Sequence, residues 1–325
     1  MKISYDGGYF LKQMNITDTI EGFIPPKGKQ FIIKPVIEGF QLQYEHPNGK
    51  LYQGNCIDWL TSLKESSVDL VFADPPYNIR KADWDNFESQ EKYIEWSMQW
   101  ISQSSRVLKP TGSLYVCGFS EILADIKHPT MKYFKHCHWL IWHYKNKANL
   151  GKNWGRSHES IIHLRKSDTS KINIDDVRTP YGAHTLKYPS HPQAVTSAFG
   201  KGSKKTRDNW TPHPKGAKPK DVFDIPTTSN GMEEKTPHPT QKPEELLRKF
   251  VLASSDENDL VIDPFSGSGT TVVVAEQLKR QWMGCELSEE YNKWAIERLE
   301  NVRCMPKDDW IAFDRKNAER RESIR

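Results

Sequence analysis

The chain has 325 residues, 36% of them hydrophobic and 27% charged, with a formal net charge of +4. That composition excludes global disorder, and no apolar run reaches the roughly 20 residues of a membrane-spanning helix. Five scattered cysteines (Cys56, Cys117, Cys137, Cys285, Cys304) without a C-x-x-C pair exclude a disulfide framework and a cysteine zinc cage. They read as reduced thiols, and "MKISYDGGYFLKQMN" at the start has no apolar core of a secretory signal, so a cytoplasmic setting is expected. "HCH" at 136–138 would put two histidines on one face of a strand, but no second ligand pair stands near it and no metal is expected.

In chain order, residues 1–50 form an N-terminal extension of open role, strand-like at "FIIKPVIEGFQLQYEH" but broken by "IPPKGK". From 51 the pattern becomes regular. "NCIDWLTSL" predicts a short helix and "VDLVFAD" a fully buried strand. "EKYIEWSMQWISQSSRVLKP" carries a helical stripe at 93, 94, 97, 100, 101, 107 and 108. Thr111-Gly112 then turns the chain into a strand at "TGSLYVCGF", and "HWLIWHY" (138–144) is another. Residues 145–235 change texture: they are rich in Lys, Asn, Gly, Ser, Pro and His, and read as an inserted loop-rich module outside the core. From 145 to 220 there are 16 Lys and Arg against 5 Asp and Glu, a local charge of +11 against −7 for the remainder. Such asymmetry fits a polyanion-facing segment as well as a solvated loop.

Order returns in residues 236–304. "PEELLRKFVLASS" is a helix started by Pro243, and "DLVIDPF" a strand. "SGTTVVVAEQLKR" is a helix, "QWMGCEL" a strand, and "SEEYNKWAIERLENV" a helix capped by Ser288. Residues 305–325 are a charged tail. Strands alternating with helices predict an α/β fold, a doubly wound and mostly parallel sheet with ligands at the carboxyl ends of its strands.

"DLVIDPFSGSGTT" (259–271) is a strand, a glycine turn and a helix start, where the backbone at Gly267 and Gly269 can approach a ligand. A P-loop would need Lys where Thr270 stands, and a dinucleotide fingerprint would need Gly where Val272 stands. A smaller adenosine-containing ligand is left, with Glu286, 19 positions after Gly267, placed to accept from both ribose hydroxyls. A tight structural corner is the alternative.

Asp74 also follows a strand, so a parallel sheet would put it on the same edge. Pro75 and Pro76 fix φ and remove two backbone donors, leaving Asp74 and a carbonyl to accept from one exocyclic amino group. Tyr77 offers a face for a base to stack on.

"DPPYN" together with "DPFSGSGTT" resembles the amino-methylating DNA methyltransferases that use S-adenosylmethionine. "GNCIDWL", "RVLKPTGSLYV", "SHESIIHLRK", "HPTQKP" and "GCELSEEY" match as well, in the order of that family's beta class, over about residues 51–301 except the variable middle. The resemblance implies the methyltransferase fold, with 51–144 as catalytic half, 145–235 as target-recognition region and 236–304 as cofactor-binding half. It implies a catalytic pocket of Asp74, Pro75, Pro76 and Tyr77. Asp263, Phe265, Ser266, Gly267, Ser268, Gly269 and Thr270 would line the methionine part of the cofactor, and Glu286 and Leu287 its ribose side. Asn55, Cys56 and Ile57 would lie by the adenine ring, although family members commonly have Asp where Asn55 stands. Lys242 would be available to the cofactor's carboxylate.

The implied reaction is methylation of the N6 amino group of a flipped-out adenine in double-stranded DNA, gripped through Lys152, Arg156, Lys204, Lys205 and Arg207. A cognate restriction endonuclease and a second copy of the chain are the further partners to test, in a bacterial, phage or archaeal cytoplasm. N4-cytosine methylation is the rival; the family tendency of Asp at the first pocket position favours adenine. A non-catalytic DNA-binding protein that keeps the fold is the alternative of another class.

Overall fold

The computed structural model describes residues 39–78, 85, 87–144, 154–187, 191–193 and 207–323. In chain order they form β1 (Phe40–His46), β2 (Gly49–Gly54), α1 (Cys56–Ser62), β3 (Val68–Ala73), α2 (Gln90–Val107), β4 (Leu108–Gly118), α3 (Ser120–Thr130), β5 (His136–His143) and β6 (His158–Arg165). There follow α4 (Ala183–Lys187), β7 (His191–Gln193), β8 (Arg207–Trp210), β9 (Val222–Asp224), α5 (Glu244–Ser254), β10 (Leu260–Asp263), α6 (Thr270–Gln277), β11 (Gln281–Glu286), α7 (Glu289–Glu300) and α8 (Lys307–Ser323).

Nine strands make one sheet in the order β1-β2-β11-β10-β3-β4-β6-β5-β9. The run from β2 to β4 is parallel throughout, whereas β1 and β6 run against their neighbours. Every residue of β3 is buried, as a strand covered on both faces must be. Leu70 and Phe72 point to the side of α5, α6 and α7, where Phe250, Val251 and Leu299 pack. Val71 and Ala73 point to the side of α1, α2 and α3, where Trp59, Trp100 and Ile126 pack. The sheet is therefore doubly wound and mostly parallel.

Strand order reverses at the centre, β4 lying on one side of β3 and β10 on the other. This is the switch point at which such sheets bind ligands. Ile262 of β10 pairs with Val71 of β3, so Asp74 and the turn after Asp263 leave the sheet side by side. Local chemistry fixes these ends. Asn55 caps α1, its Oδ1 accepting from Ile57 N at 2.8 Å. Gly269 caps α6 at φ 79°, where an added Cβ would lie 2.7 Å from Ala295 Cβ of α7.

Three expectations change. Residues 158–165, read as part of a loop-rich stretch outside the core, form β6 between β4 and β5 with Ile161, Ile162 and Leu164 fully buried. Its polar neighbours in sequence hid a strand that is apolar only at its centre. The boundary drawn at residue 50 falls inside β2, which pairs with β11. The charged tail contains α8, fastened by Asp314 to the buried Arg248 of α5 at 2.8 Å.

Candidate active site

A cavity of about 280 Å3 opens at the switch point. Asp74 and Pro76 line one side and Asp263, Phe265, Ser266, Gly267, Ser268 and Thr270 the other, with Asn55, Cys56, Glu286 and Leu287 at one end and Lys242 between. The two stretches that the sequence separates by some 190 residues thus share one cavity. Pro75, Tyr77, Ile57 and Gly269 stand behind this lining. Gly269 is spent on the α6–α7 approach, and Tyr77 turns its ring edge to Phe119 at 5.0 Å.

The catalytic corner is a hydrogen-bonded cluster. Asp74 Oδ1 accepts from the Tyr77 hydroxyl at 2.6 Å, and Asp74 Oδ2 from Lys242 Nζ at 2.5 Å. Glu159 of β6 lies 3.0 Å from the same hydroxyl and 3.3 Å from the same ammonium. Burial opposes the charge on Lys242, but the Asp74 and Glu159 carboxylates outweigh it and hold the ammonium above its ordinary range. Burial, with those two carboxylates, pushes the Tyr77 phenol up as well, so it stays a neutral O–H. The Pro76 carbonyl is already used, accepting from Tyr93 at 2.8 Å.

At the glycine turn, Asp263 accepts from Phe265 N at 2.9 Å and from Thr271 Oγ1 at 2.5 Å. Burial pushes its carboxyl up to about 7. Glu286 takes one N–H on each oxygen, Gly267 N and Ser288 N, both at 2.8 Å, and burial raises its carboxyl too. Each oxygen keeps a lone pair for a further donor. The Ser266 hydroxyl is buried with no partner among the described residues. At Gly267 (φ 52°) a Cβ would sit 3.2 Å from His238 Nε2, so His238 forms a wall over the turn. Burial pushes the Cys56 thiol up to about 12, so it is an inert part of the wall.

Sequence reasoning missed several of these groups. Glu159 lies inside "SHESIIHLRK" with no role visible there, because nothing local shows that β6 ends beside Asp74. Trp96 and Phe87 bring an aromatic wall that lies off the helical stripe, Phe87 before α2 begins; Trp96 lies 5.7 Å from Phe265, ring to ring. Lys242, expected at the cofactor's carboxylate, has its ammonium on Asp74 instead. Lys242 is buried where "HPTQKP" packs over the corner, and the Asp74 carboxylate is its partner there.

Of the expected DNA contacts, Lys152, Lys204 and Lys205 lie outside the described residues, and only the backbone of Arg207 is described, in β8. Arg156 pairs with Glu121 at 2.6 Å and covers the Phe119 ring at 3.8 Å.

Residues 68–297 match a family model, N6_N4_Mtase, described as DNA methylase. M1.MboII, a type II methyltransferase of Moraxella bovis, is 33% identical over 249 residues, covering 74% of this chain and 93% of its own. The DNA adenine methyltransferase YhdJ of Escherichia coli K12 is 31% identical over 262 residues, covering 77% and 82%. Among solved structures, the cytosine-N4-specific PvuII DNA methyltransferase shares the fold with a TM-score of 0.58 at 20% identity, over 82% of this chain and 93% of its own. With a rigid acidic corner and a glycine turn meeting in one cavity, and with matches that span both, the chain belongs to the N6/N4 DNA methylase family and is a DNA methyltransferase.

Proposed function

We propose that this protein transfers a methyl group from S-adenosylmethionine to the N6 amino group of an adenine flipped out of double-stranded DNA. The observation that carries the reading is the shared cavity: Asp74 and Pro76 face it from one strand end, and Asp263, Gly267 and Glu286 from the neighbouring ones.

The residues fit the cofactor. Three acids, Asp74, Asp263 and Glu286, line the cavity with the Lys242 ammonium, which suits a cationic ligand. The free lone pairs of Glu286 suit a vicinal diol, the unpartnered Ser266 hydroxyl awaits a polar group, and Phe265 and Trp96 offer aromatic faces. When bound, S-adenosylmethionine supplies an electrophilic methyl carbon on a positively charged sulfur.

The rest belongs to the chain. The amino nitrogen of adenine is a poor nucleophile because its lone pair is delocalised into the ring. Asp74 and one proline carbonyl, accepting its two hydrogens in fixed directions, favour a more tetrahedral nitrogen with the lone pair aimed at the methyl carbon. The carbonyls of Pro75 and Pro76 are the candidates for the partner to Asp74, Tyr93 taking one of the two lone pairs of the latter. Positive charge grows on the nitrogen during transfer, and the acidic cluster stabilises it in place, with no reorganisation. No covalent enzyme intermediate is required. A stacked base could not reach Asp74, so the target leaves the duplex. The basic residues of the region 145–235 outside β6 grip phosphates and read the site. A cognate endonuclease, as in type II systems, would share that site.

The test is transfer of labelled methyl from S-adenosylmethionine to duplex DNA, followed by nucleoside analysis. N6-methyladenine is expected. N4-methylcytosine would assign the rival base, and no labelled nucleoside would refute the reading.

A further inference from the structure

Lys242 sets a charge problem for the reaction. Its ammonium lies 2.5 Å from Asp74 Oδ2, and only 6% of its side chain is exposed. At that depth the pairing cancels much of the Asp74 field over the place where the target nitrogen gains positive charge. A neutral pair would be a weak electrostatic catalyst.

Glu159 changes the balance. Its Oε2 is 3.3 Å from the same ammonium and 3.0 Å from the Tyr77 hydroxyl. It reaches the corner from β6, where Ser160 stands opposite Gly118 at the end of β4. Its side chain, like that of Asp74, is 17% exposed, so water screens neither fully. Two carboxylates sharing one ammonium carry a net charge of −1. Tyr77 has a single hydroxyl hydrogen and serves one carboxylate at a time, so it adds no charge.

We propose that Glu159 is a positioning residue of the methyl-transfer site, which draws on Lys242 and so restores to the Asp74 corner the negative charge that the reacting amino nitrogen needs. The electrostatic work thus belongs to Asp74, Lys242 and Glu159 jointly. The inference rests on the amino-methylation reading but holds for either target base.

The experiment is single-turnover transfer of labelled methyl to duplex DNA by the full chain. Glu159→Gln keeps shape and an acceptor for Tyr77 but removes the charge. Its rate is expected to fall roughly 10- to 100-fold, while cofactor and DNA dissociation constants, measured separately, stay within about threefold of wild type. Glu159→Asp is expected to recover part of the loss. The decisive variant is the double Glu159→Gln, Lys242→Met, which returns the corner to a single negative charge and is expected to outpace Glu159→Gln alone. Cofactor binding certifies the fold of each variant; if Glu159→Gln fails that check, Glu159→Ala replaces it in both comparisons. A wild-type rate in Glu159→Gln, or a double variant no faster than the single, would overturn the proposal. A wild-type chain that methylated no amino group would overturn the functional reading with it, so the two failures are distinguishable.

Discussion

Asp74 is the acceptor proposed for the target amino group, and its replacement has a clear signature. Asp74→Ala removes the acceptor of the target amino group and frees Lys242 to Glu159. Methyl transfer is expected to drop by at least about 100-fold, with cofactor affinity nearly unchanged because Glu286 and the glycine turn stay intact; calorimetric binding beside a turnover assay checks both. Asp263 gives a pH dependence. Its carboxyl sits near about 7 through burial, and a cationic ligand prefers it ionised. Affinity for S-adenosylmethionine should therefore rise between about pH 6 and 7.5, and Asp263→Asn should flatten that rise. Stability of the unliganded fold has the opposite sign: the folded chain holds the proton longer than the unfolded one, so this contribution falls as pH climbs from about 4 to about 7. At this scale the sequence showed Asp74, Asp263 and Glu286, because each ends a strand with an unmistakable turn behind it. It could not show Glu159, whose partners are 82 and 83 positions away and are set by strand order alone.

Among the elements, α8 has the plainest test. Arg248 of α5 gives Asp314 its Nε and Nη2, gives Glu244 and Gln277 its Nη1, and lies over the Trp310 ring at 4.4 Å. Asp314→Ala takes away the partner of two of the buried guanidinium's nitrogens and leaves it Glu244 and Gln277, which should cost about 1–3 kcal/mol, read as a lower denaturant midpoint. The strand and helix flanking the glycine turn were legible because short apolar runs, buried throughout in α6 and nearly so in β10, stand between clear stops. Two elements were not. α8 looks like a tail because 42% of Phe313 stays exposed and only Trp310 is a large buried anchor. β6 was hidden by a basic, loop-like setting, although "SIIHL" is short and apolar enough for a buried strand. Sequence pattern tells how a segment is covered when many of its residues are; it fails where one or two side chains do the fastening.

For the whole molecule, charge asymmetry is the property proposed to meet DNA. Removing one cation that neutralises a phosphate should lower the slope of log affinity against log salt by about 0.9. Neutralising Lys204, Lys205 and Arg207 together should therefore flatten it by about 3 if all three grip phosphates, which binding titrations across a salt series would measure; an unchanged slope would move the grip elsewhere. The strand order carries a last consequence. β2 and β3 are made early in translation, yet β10 and β11, which lie between them, emerge almost 200 residues later. A half-made chain on the ribosome leaves an unpaired edge on β2 and on the fully buried β3, and nothing can fill the slot between them until the final third arrives. A product truncated before Leu260 is therefore expected not to fold, read as its recovery in the insoluble fraction.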